Sequence, residues 1–403
     1  MESTTPKDME AENQRKSGNL IRLNIPDSNQ KFRLNSWKSG IDRHLSTSII
    51  RQIQQLIHNR INHGNLSEYQ KELNGRLSRY FGLPETNFGL FSGHRYTLER
   101  LIKSFCRYGE KAVISGPADD ETGLILDKYG IRNEIHYGPS PFTADPDGLI
   151  ASAREARIVF LNNPNHLSGT EYSRFDIELI LSGCPRAILV IDDAGSQYPG
   201  DSLADLVAEY RHLIILKSFG RTMGLDTLPV SCLLAHRDTL AEYDSGHISE
   251  QAKILRVAAA TAVLNHLDRL RIDDDQMGEI ILCLMVRLRR VGVTCRTGCG
   301  NHLLIRVDNP ARAQFFLKKA GFVARNLGRY KQLDGYLSLA ISVDCPINRL
   351  VEAFERMPAG NYWRTERRSR DNQMIFAPDR SFTVSDSMPD AKDNRLSNGF
   401  IQQ

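Results

Sequence analysis

The stretch AILVIDDAGSQYPGDSLADLVAEYRHLIILKSFG, residues 187–220, decides the fold class of this chain. It contains two predicted strands, at 187–194 and 213–220, which open on the apolar runs AILVI and LIIL, with a helical pattern between them. Strands that are apolar on both faces and separated by helices are typical of a mainly parallel sheet covered on both sides. Because ligands of such sheets bind at the carboxyl ends of the strands, we expect functional side chains near Asp192 and Ser218.

The same alternation continues along the chain, and it predicts an α/β fold with a second, smaller unit. Further strands are predicted at 111–116, 133–138 and 157–163, with helices at 67–82, 119–130, 174–184 and 203–211. After residue 272 the pattern changes to short strands and helices that end near Met357. We therefore predict an N-terminal arm at 1–45, a large α/β domain at 46–272, a small α+β domain at 273–357 and a polar tail at 358–403.

The composition is that of an ordinary globular protein. Of the 403 residues, 41% are hydrophobic and 25% are charged, and the net charge is +4. Neither a membrane-spanning run nor the apolar core of a secretory signal is visible, so we predict a cytoplasmic protein without a membrane segment. Positive charge is concentrated only in WRTERRSR, residues 363–370, which favours a solvated tail over a nucleic-acid site.

The cysteines indicate neither a disulfide framework nor a metal site. The chain has seven of them, an odd number, and most lie inside apolar runs. Cys295 and Cys299 in CRTGCG have no second Cys/His pair at ligand spacing, so two reduced thiols are expected and no metal is predicted.

Three strand ends carry motifs in a characteristic order. They read LNNPNHLSGTEYS (161–173), VIDDAGSQY (190–198) and LKSFGRTMGL (216–225). Over roughly residues 32–357 this series resembles the fold-type I enzymes that use pyridoxal phosphate (PLP), most closely the histidinol-phosphate aminotransferase and threonine-phosphate decarboxylase branch. The resemblance implies a large domain with a mainly parallel, seven-stranded type of sheet, a small C-terminal α+β domain, and a dimer.

The resemblance also implies a set of cofactor contacts, and part of that set is present. A carboxylate that pairs with the pyridinium nitrogen corresponds to Asp192, and a phosphate-binding serine corresponds to Ser218. Gly93 in FSGHRYT, at the start of a helix, corresponds to the phosphate loop, and His94 adjoins it.

Other expected cofactor contacts are replaced. The lysine that forms the Schiff base is replaced by Arg221. The remaining replacements affect groups that hold the same cofactor or the substrate: His166 for the ring-holding asparagine, Gly195 for a tyrosine, Pro229 for the phosphate-binding arginine, Asp119 for the residue that stacks on the ring, and Ser338 for the arginine that binds the substrate carboxylate.

Arg221 determines the interpretation of these replacements. A guanidinium group, with a pKa above about 12, does not supply the free amine that Schiff-base formation needs. Lys217 stands one residue before Ser218, so its side chain is expected on the opposite face of the strand, and Lys253 has the context of a solvated helix lysine. We therefore expect no covalently bound PLP, and we interpret Arg221, Ser218 and the Gly93–His94 turn as contacts to an anion. His166 is a candidate acid or base.

The residues leave three functions open. The chain binds or converts an anionic metabolite without PLP, or it is a non-catalytic subunit that stabilises an active homologue, or it is a PLP enzyme that uses a non-standard lysine. The expected partners are a small anionic metabolite and a second chain, either identical or homologous.

Overall fold

The computed structural model describes residues 47–63, 66–91, 93–193, 203–218, 230–243, 250–342 and 344–357. The predicted arm at 1–45 and the predicted tail at 358–403 lie outside the described residues, as do Arg221, Gly195 and Pro229. All the described residues between 47 and 357 belong to one compact unit.

The large sheet has seven strands and is mainly parallel, as predicted. In chain order they are β1 (Phe88–Phe91), β2 (Lys111–Ser115), β3 (Arg132–His136), β4 (Ala156–Asn162), β5 (Ile188–Asp193), β6 (Leu213–Ser218) and β7 (Ser231–Ala235). Their order across the sheet is β1-β7-β6-β5-β4-β2-β3. Strands β2 to β6 pair in parallel, whereas β7 runs antiparallel to both β6 and β1.

Helices cover both faces of this sheet, so its strands are buried on both sides. On β6, Leu213 and Ile215 face one apolar cluster, while Ile214 and Leu216 face the other. The helices associated with this sheet are α1 (Thr47–His63), α2 (Leu66–Phe81), α3 (His94–Phe105), α4 (Asp120–Lys128), α5 (Pro146–Ser152), α6 (Arg174–Gly183), α7 (Leu206–Glu209), α8 (Arg237–Glu242) and α9 (Glu250–Leu264). None of the described helices is both long enough and apolar enough to cross a bilayer.

The predicted and observed elements differ in three places. The helix predicted at 203–211 is only the single turn α7, because the chain turns back at Tyr210, whose carbonyl accepts from the N–H of Leu213 at the start of β6. The sequence pattern does not predict strand β1, because the strand is four residues long and contains a glycine. Helix α5 was also missed, although Asp145 caps it and Pro146 opens it, a recognised start signal.

A second sheet lies in the C-terminal part of the described chain. Strands β8 (Cys295–Thr297), β9 (His302–Arg306), β10 (Ala324–Asn326) and β11 (Tyr336–Ala340) pair antiparallel in the order β10-β11-β9-β8. Helices α10 (Leu267–Arg290), α11 (Pro310–Lys319) and α12 (Ile347–Glu355) share an apolar core with it. Helix α10 runs through residues 272 and 273, and the domain boundary there stays a prediction.

An ion pair lies buried beneath the end of the large sheet. Lys217 Nζ donates to Asp193 Oδ2, and the ammonium group lies 5.8 Å from the ring centroid of Phe81. The two side chains are 11% and 4% exposed. Lys217 therefore lies on the opposite face from Ser218, and its amine is held by a carboxylate.

Breaking this pair from one side should be costly. We expect Lys217→Met to lower the free energy of unfolding by about 3–5 kcal/mol, because Asp193 would keep a buried negative charge. The double variant Lys217→Met/Asp193→Leu should recover most of that loss. Urea denaturation of both variants measures the effect.

The control for this prediction is an exposed ion pair. Arg174 and Asp205 contact each other at 2.6 Å but are 48% and 57% exposed, so Arg174→Met should cost no more than about 1 kcal/mol. Equal losses in Arg174→Met and Lys217→Met would contradict the argument from burial.

Candidate functional site

The candidate site lies where strands β4, β5 and β6 end, here called the carboxyl edge. Asn162, Asp192 and Leu216 are neighbours in register, so these strands end together. On β7, Ser231 lies opposite both Ser218 and Phe91, which brings the ends of β6 and β1 to the same edge. Side chains far apart in the sequence therefore meet here.

Helix α3 begins at this edge. Gly93 caps it with a φ of 72°, a left-handed conformation that favours glycine, and it contributes no side-chain cap. The first-turn N–H groups of a helix have no partner within the helix and attract anions. The structure thus places the predicted Gly93 turn and Ser218 at the same edge.

His94 connects this helix start to strand β5. Its Nε2 lies 2.8 Å from Asp192 Oδ2, and its Nδ1 lies 3.8 Å from Glu121 Oε2. Asp192 is 7% exposed, and Glu121 also binds Arg95 at 3.2 Å. Both ring nitrogens of His94 therefore face carboxylate oxygens.

A second histidine approaches a carboxylate without a hydrogen bond to it. His166 Nε2 lies 3.2 Å from Asp119 Oδ2 but lacks hydrogen-bond geometry. Its Nδ1 lies 3.1 Å from Asn162 Nδ2, which donates to it. Asp119 also caps helix α4 by accepting from Glu121 N.

The loop that carries His166 approaches the small sheet closely. At Gly169, which has a φ of 74°, an added Cβ would lie 2.8 Å from backbone atoms of Gly298. Leu167 from the same loop packs with Leu304 and Leu327 of the small-sheet region. The small sheet is therefore held against the carboxyl edge.

This approach brings basic groups to the site. Arg325 on β10 is opposite Ser338 on β11, and His302 Nδ1 lies 2.9 Å from the Ser338 hydroxyl. Burial, together with the positive charges of Arg325 and His166, lowers the pKa of His302 to about 4. Burial also lowers the pKa of Arg325, which donates to the Tyr330 hydroxyl and feels the charge of Asp119.

The resemblance places an arginine at Ser338. In this chain the neighbouring strand β10 supplies an arginine, Arg325, opposite Ser338. No sequence pattern indicated Arg325, His302 or Glu121 as residues of the site. The alternating patterns of HLLIRV and FVARNLG predict which side chains share a face of their strand. They do not predict which polar side chains of different strands come into contact. Among the described residues, no group of three His, Cys, Asp or Glu side chains is arranged to hold a metal ion.

Comparisons with known proteins show the family to which this chain belongs. The model of aminotransferase class I and II matches residues 34–315. The histidinol-phosphate aminotransferase of Pyrococcus furiosus is 22% identical over 312 residues, covering 77% of this chain and 87% of that protein. The dihydroxyacetone phosphate transaminase of Campylobacter jejuni is 25% identical over 271 residues, covering 65% of this chain and 70% of that protein.

Solved structures support the same fold. The histidinol-phosphate aminotransferase of Sinorhizobium meliloti, solved in complex with pyridoxal-5'-phosphate, superposes with a TM-score of 0.67 at 19% identity, covering 78% of this chain and 87% of that chain. The L-threonine-O-3-phosphate decarboxylase of Porphyromonas gingivalis gives 0.60 at 15% identity, covering 76% and 92%. With the fold shared and more than half of the sequence matched by the family model, the chain belongs to the aminotransferase class I and II family.

Proposed function

We propose that this chain binds a small anionic metabolite at the carboxyl edge and does not form a Schiff base with PLP. The observation that carries the proposal is the position of His94. Its imidazole extends from the helix start after Gly93 to Asp192, where its Nε2 lies 2.8 Å from the carboxylate.

The pairing of Asp192 argues against PLP in its usual pose. The carboxylate that the resemblance assigns to the pyridinium nitrogen already accepts a hydrogen bond from His94 Nε2 at 2.8 Å. Asp119, at the position expected to stack on the cofactor ring, contacts His166 instead. Together with Arg221 in the sequence, these contacts favour a site rebuilt for another ligand.

Basic groups support an anionic ligand. The guanidinium of Arg325 lies beside Ser338 in the small sheet and is partly buried, where a cation interacts more strongly with an anion than in water. A phosphate or carboxylate group accepts the paired hydrogen bonds of a guanidinium. The relatives' names include histidinol phosphate, dihydroxyacetone phosphate and threonine phosphate, all of them anions.

The experiment that tests the proposal is an absorbance spectrum of the purified protein with PLP, before and after borohydride reduction. We expect no Schiff-base absorbance and no lysine that carries the reduced cofactor in peptide mass analysis. A reduced adduct on Lys217, Lys253 or any other lysine would overturn the proposal.

A pair of variants separates the role of Arg221 from that of His94. We expect Arg221→Lys alone to give little Schiff base, because the His94–Asp192 bond persists. Adding His94→Ala should strengthen PLP binding by roughly 10- to 150-fold, which corresponds to a charge-assisted hydrogen bond of about 1.5–3 kcal/mol. Titration with PLP, followed by absorbance, measures both.

The matched control removes a similar pair on strand β3. His136 Nε2 lies 3.0 Å from Asp145 Oδ2, and Arg221→Lys/His136→Ala should bind PLP no better than Arg221→Lys. Efficient Schiff-base formation by Arg221→Lys alone would show that His94 does not block the site.

The small-sheet side of the site should make stability depend on pH. His302 has a pKa of about 4 in the folded protein, against about 6.5 when unfolded. As the pH falls below 6.5, the unfolded chain therefore binds a proton that the folded chain does not, and stability is lost. Between pH 6.5 and 5 this lowers the free energy of unfolding by about 1.6 kcal/mol, since the slope approaches 1.36 kcal/mol per pH unit only when the unfolded histidine is mostly protonated.

The variant His302→Gln retains a hydrogen-bonding group for Ser338 but does not titrate. Urea denaturation at pH 6.5 and pH 5 should show a loss smaller by that amount than in the parent. The control is His212→Gln, since His212 lies 3.1 Å from the Leu181 carbonyl and away from this site. Equal losses in His302→Gln and the parent would contradict the origin assigned to the pH dependence.

We also propose that the chain forms a dimer, with itself or with a homologue. The support is the family fold alone, for which the resemblance implies paired chains. Sedimentation at micromolar concentration tests this, and a monomer would count against it.

A further inference from the structure

A serine, a histidine and an aspartate lie in hydrogen-bond contact beside helix α5, outside the candidate site. His136 Nε2 lies 3.0 Å from Asp145 Oδ2, and His136 Nδ1 lies 3.0 Å from the Ser152 hydroxyl. Strand β3, which ends at His136, is the outer strand of the large sheet and lies three strands from β5. At the usual spacing of strands this separation is about 14 Å, so the three side chains form a cluster of their own.

Helix α5 holds two members of this cluster. Asp145 is its N-cap, with Oδ1 accepting from Gly148 N at 3.1 Å, and Ser152 is its last residue. The imidazole of His136 lies between them, against the helix. A Cβ added to Gly148 would lie 2.8 Å from His136 Cε1, so a larger residue at position 148 would displace the ring.

The carboxylate of Asp145 decides which ring nitrogen carries the proton. An ionised carboxylate only accepts hydrogen bonds, so the proton of the neutral ring is assigned to Nε2, which donates to Asp145. The lone pair of Nδ1 then faces the Ser152 hydroxyl, which donates to it. A hydroxyl that donates to a histidine, itself oriented by a third group, is the arrangement that activates a serine as a nucleophile. Ser152 is half-buried and is not enclosed in the core.

A lysine supplies positive charge next to this serine. Lys111 Nζ donates to the Ser152 carbonyl at 2.9 Å and lies 2.7 Å from Glu134 Oε2. An ammonium group has three N–H donors, and within the described chain Lys111 makes these two contacts. The third donor is available to the oxygen on which negative charge develops when a serine attacks a carbonyl carbon.

A second serine–histidine pair lacks the carboxylate. The Ser338 hydroxyl lies 2.9 Å from His302 Nδ1, but among the described residues no carboxylate contacts that ring. Burial, together with the positive charges of Arg325 and His166, lowers the pKa of His302 to about 4. A histidine with so low a pKa is a weak base, so Ser338 is not activated in the way that Ser152 is.

We propose that Ser152 is a nucleophile that takes the acyl group of a small ester, with His136 as the base and Asp145 as the residue that positions the base. The bond between Ser152 Oγ and the carbonyl carbon forms while the hydroxyl proton passes to His136 Nδ1. The bond to the leaving alcohol breaks, and Nδ1 gives the proton to its oxygen. Water then attacks the acyl group with Nδ1 again as base, which releases the carboxylic acid and restores the hydroxyl. This activity is separate from anion binding at the carboxyl edge and does not depend on it.

The test is to label the full chain with a fluorophosphonate, which phosphonylates activated serines with loss of fluoride, and to locate the adduct by peptide mass analysis. We expect one adduct, on Ser152, and none in Ser152→Ala. His136→Gln retains hydrogen-bonding groups but is no base, and it should slow labelling by roughly 10²–10⁴-fold. With p-nitrophenyl acetate, the parent should release a burst of p-nitrophenol of about one equivalent per chain, as acyl-enzyme formation requires.

A further variant, Asp145→Asn, separates positioning from folding. Asparagine caps a helix about as well as aspartate, so the Tm should be nearly unchanged. Its amide also offers a donor to the ring, which lets the neutral ring hold its proton on Nδ1, where it does not accept from Ser152. We expect labelling slower by at least about tenfold, and a kcat for p-nitrophenyl acetate that falls while KM changes little.

The matched control is Ser104→Ala, which removes a hydroxyl that donates to the Arg100 carbonyl at 2.9 Å. It should be labelled on Ser152 at the rate of the parent. Lys111→Met should slow ester hydrolysis by less than His136→Gln does, since the lysine assists the attack and does not take the proton.

Two results would overturn the inference. Absence of an adduct on Ser152 in the parent would show that the cluster only fixes α5 against β3. Equal labelling rates in the parent and His136→Gln would show that the histidine is not the base. If His136→Gln does not fold, Asp145→Asn decides instead, because a rate equal to that of the parent would count against the cluster in the same way.

Discussion

The common end of the parallel strands is the constraint from which the site follows. Because β4, β5 and β6 stop in register, Asn162, Asp192 and Ser218 reach one edge although they are spread over more than fifty residues of sequence. The antiparallel return of β7 then places Ser231 beside Ser218, and the edge strand β1 starts helix α3 at the same level. No local feature of any one segment would have brought these groups together.

The carboxylates at this edge are already paired within the chain. Asp192 holds His94, Asp119 contacts His166, and on the opposite face of the sheet Asp193 holds Lys217. Buried charges require such partners, so each pair stabilises the edge without any ligand. The carboxylate that the family resemblance assigns to a cofactor nitrogen thus serves, in this chain, to fix a side chain of helix α3.

Continuous apolar strands could be predicted from the sequence, whereas contacts between distant side chains of the site could not. The runs at 187–194 and 213–220 predicted parallel strands, because continuous apolar segments between helices have few alternative folds. The strand-end rule then predicted that Asp192 and Ser218 would share an edge. The partner of Asp192 was not predictable, since His94 lies 98 positions away and its pairing depends on how α3 packs on the sheet.

The distribution of charge supports the proposal of an anionic ligand. The buried carboxylates Asp192 and Asp193 each have a basic partner, His94 and Lys217, while the guanidinium of Arg325 donates to the Tyr330 hydroxyl. Burial lowers the pKa of Arg325, because water solvates its charge less well there. In the proposed function, His94 competes with any other cation for the Asp192 carboxylate, since its Nε2 lies 2.8 Å from Asp192 Oδ2. The proposal of an anionic ligand that is not held covalently rests on this competition at Asp192 together with the partly buried guanidinium of Arg325 beside Ser338.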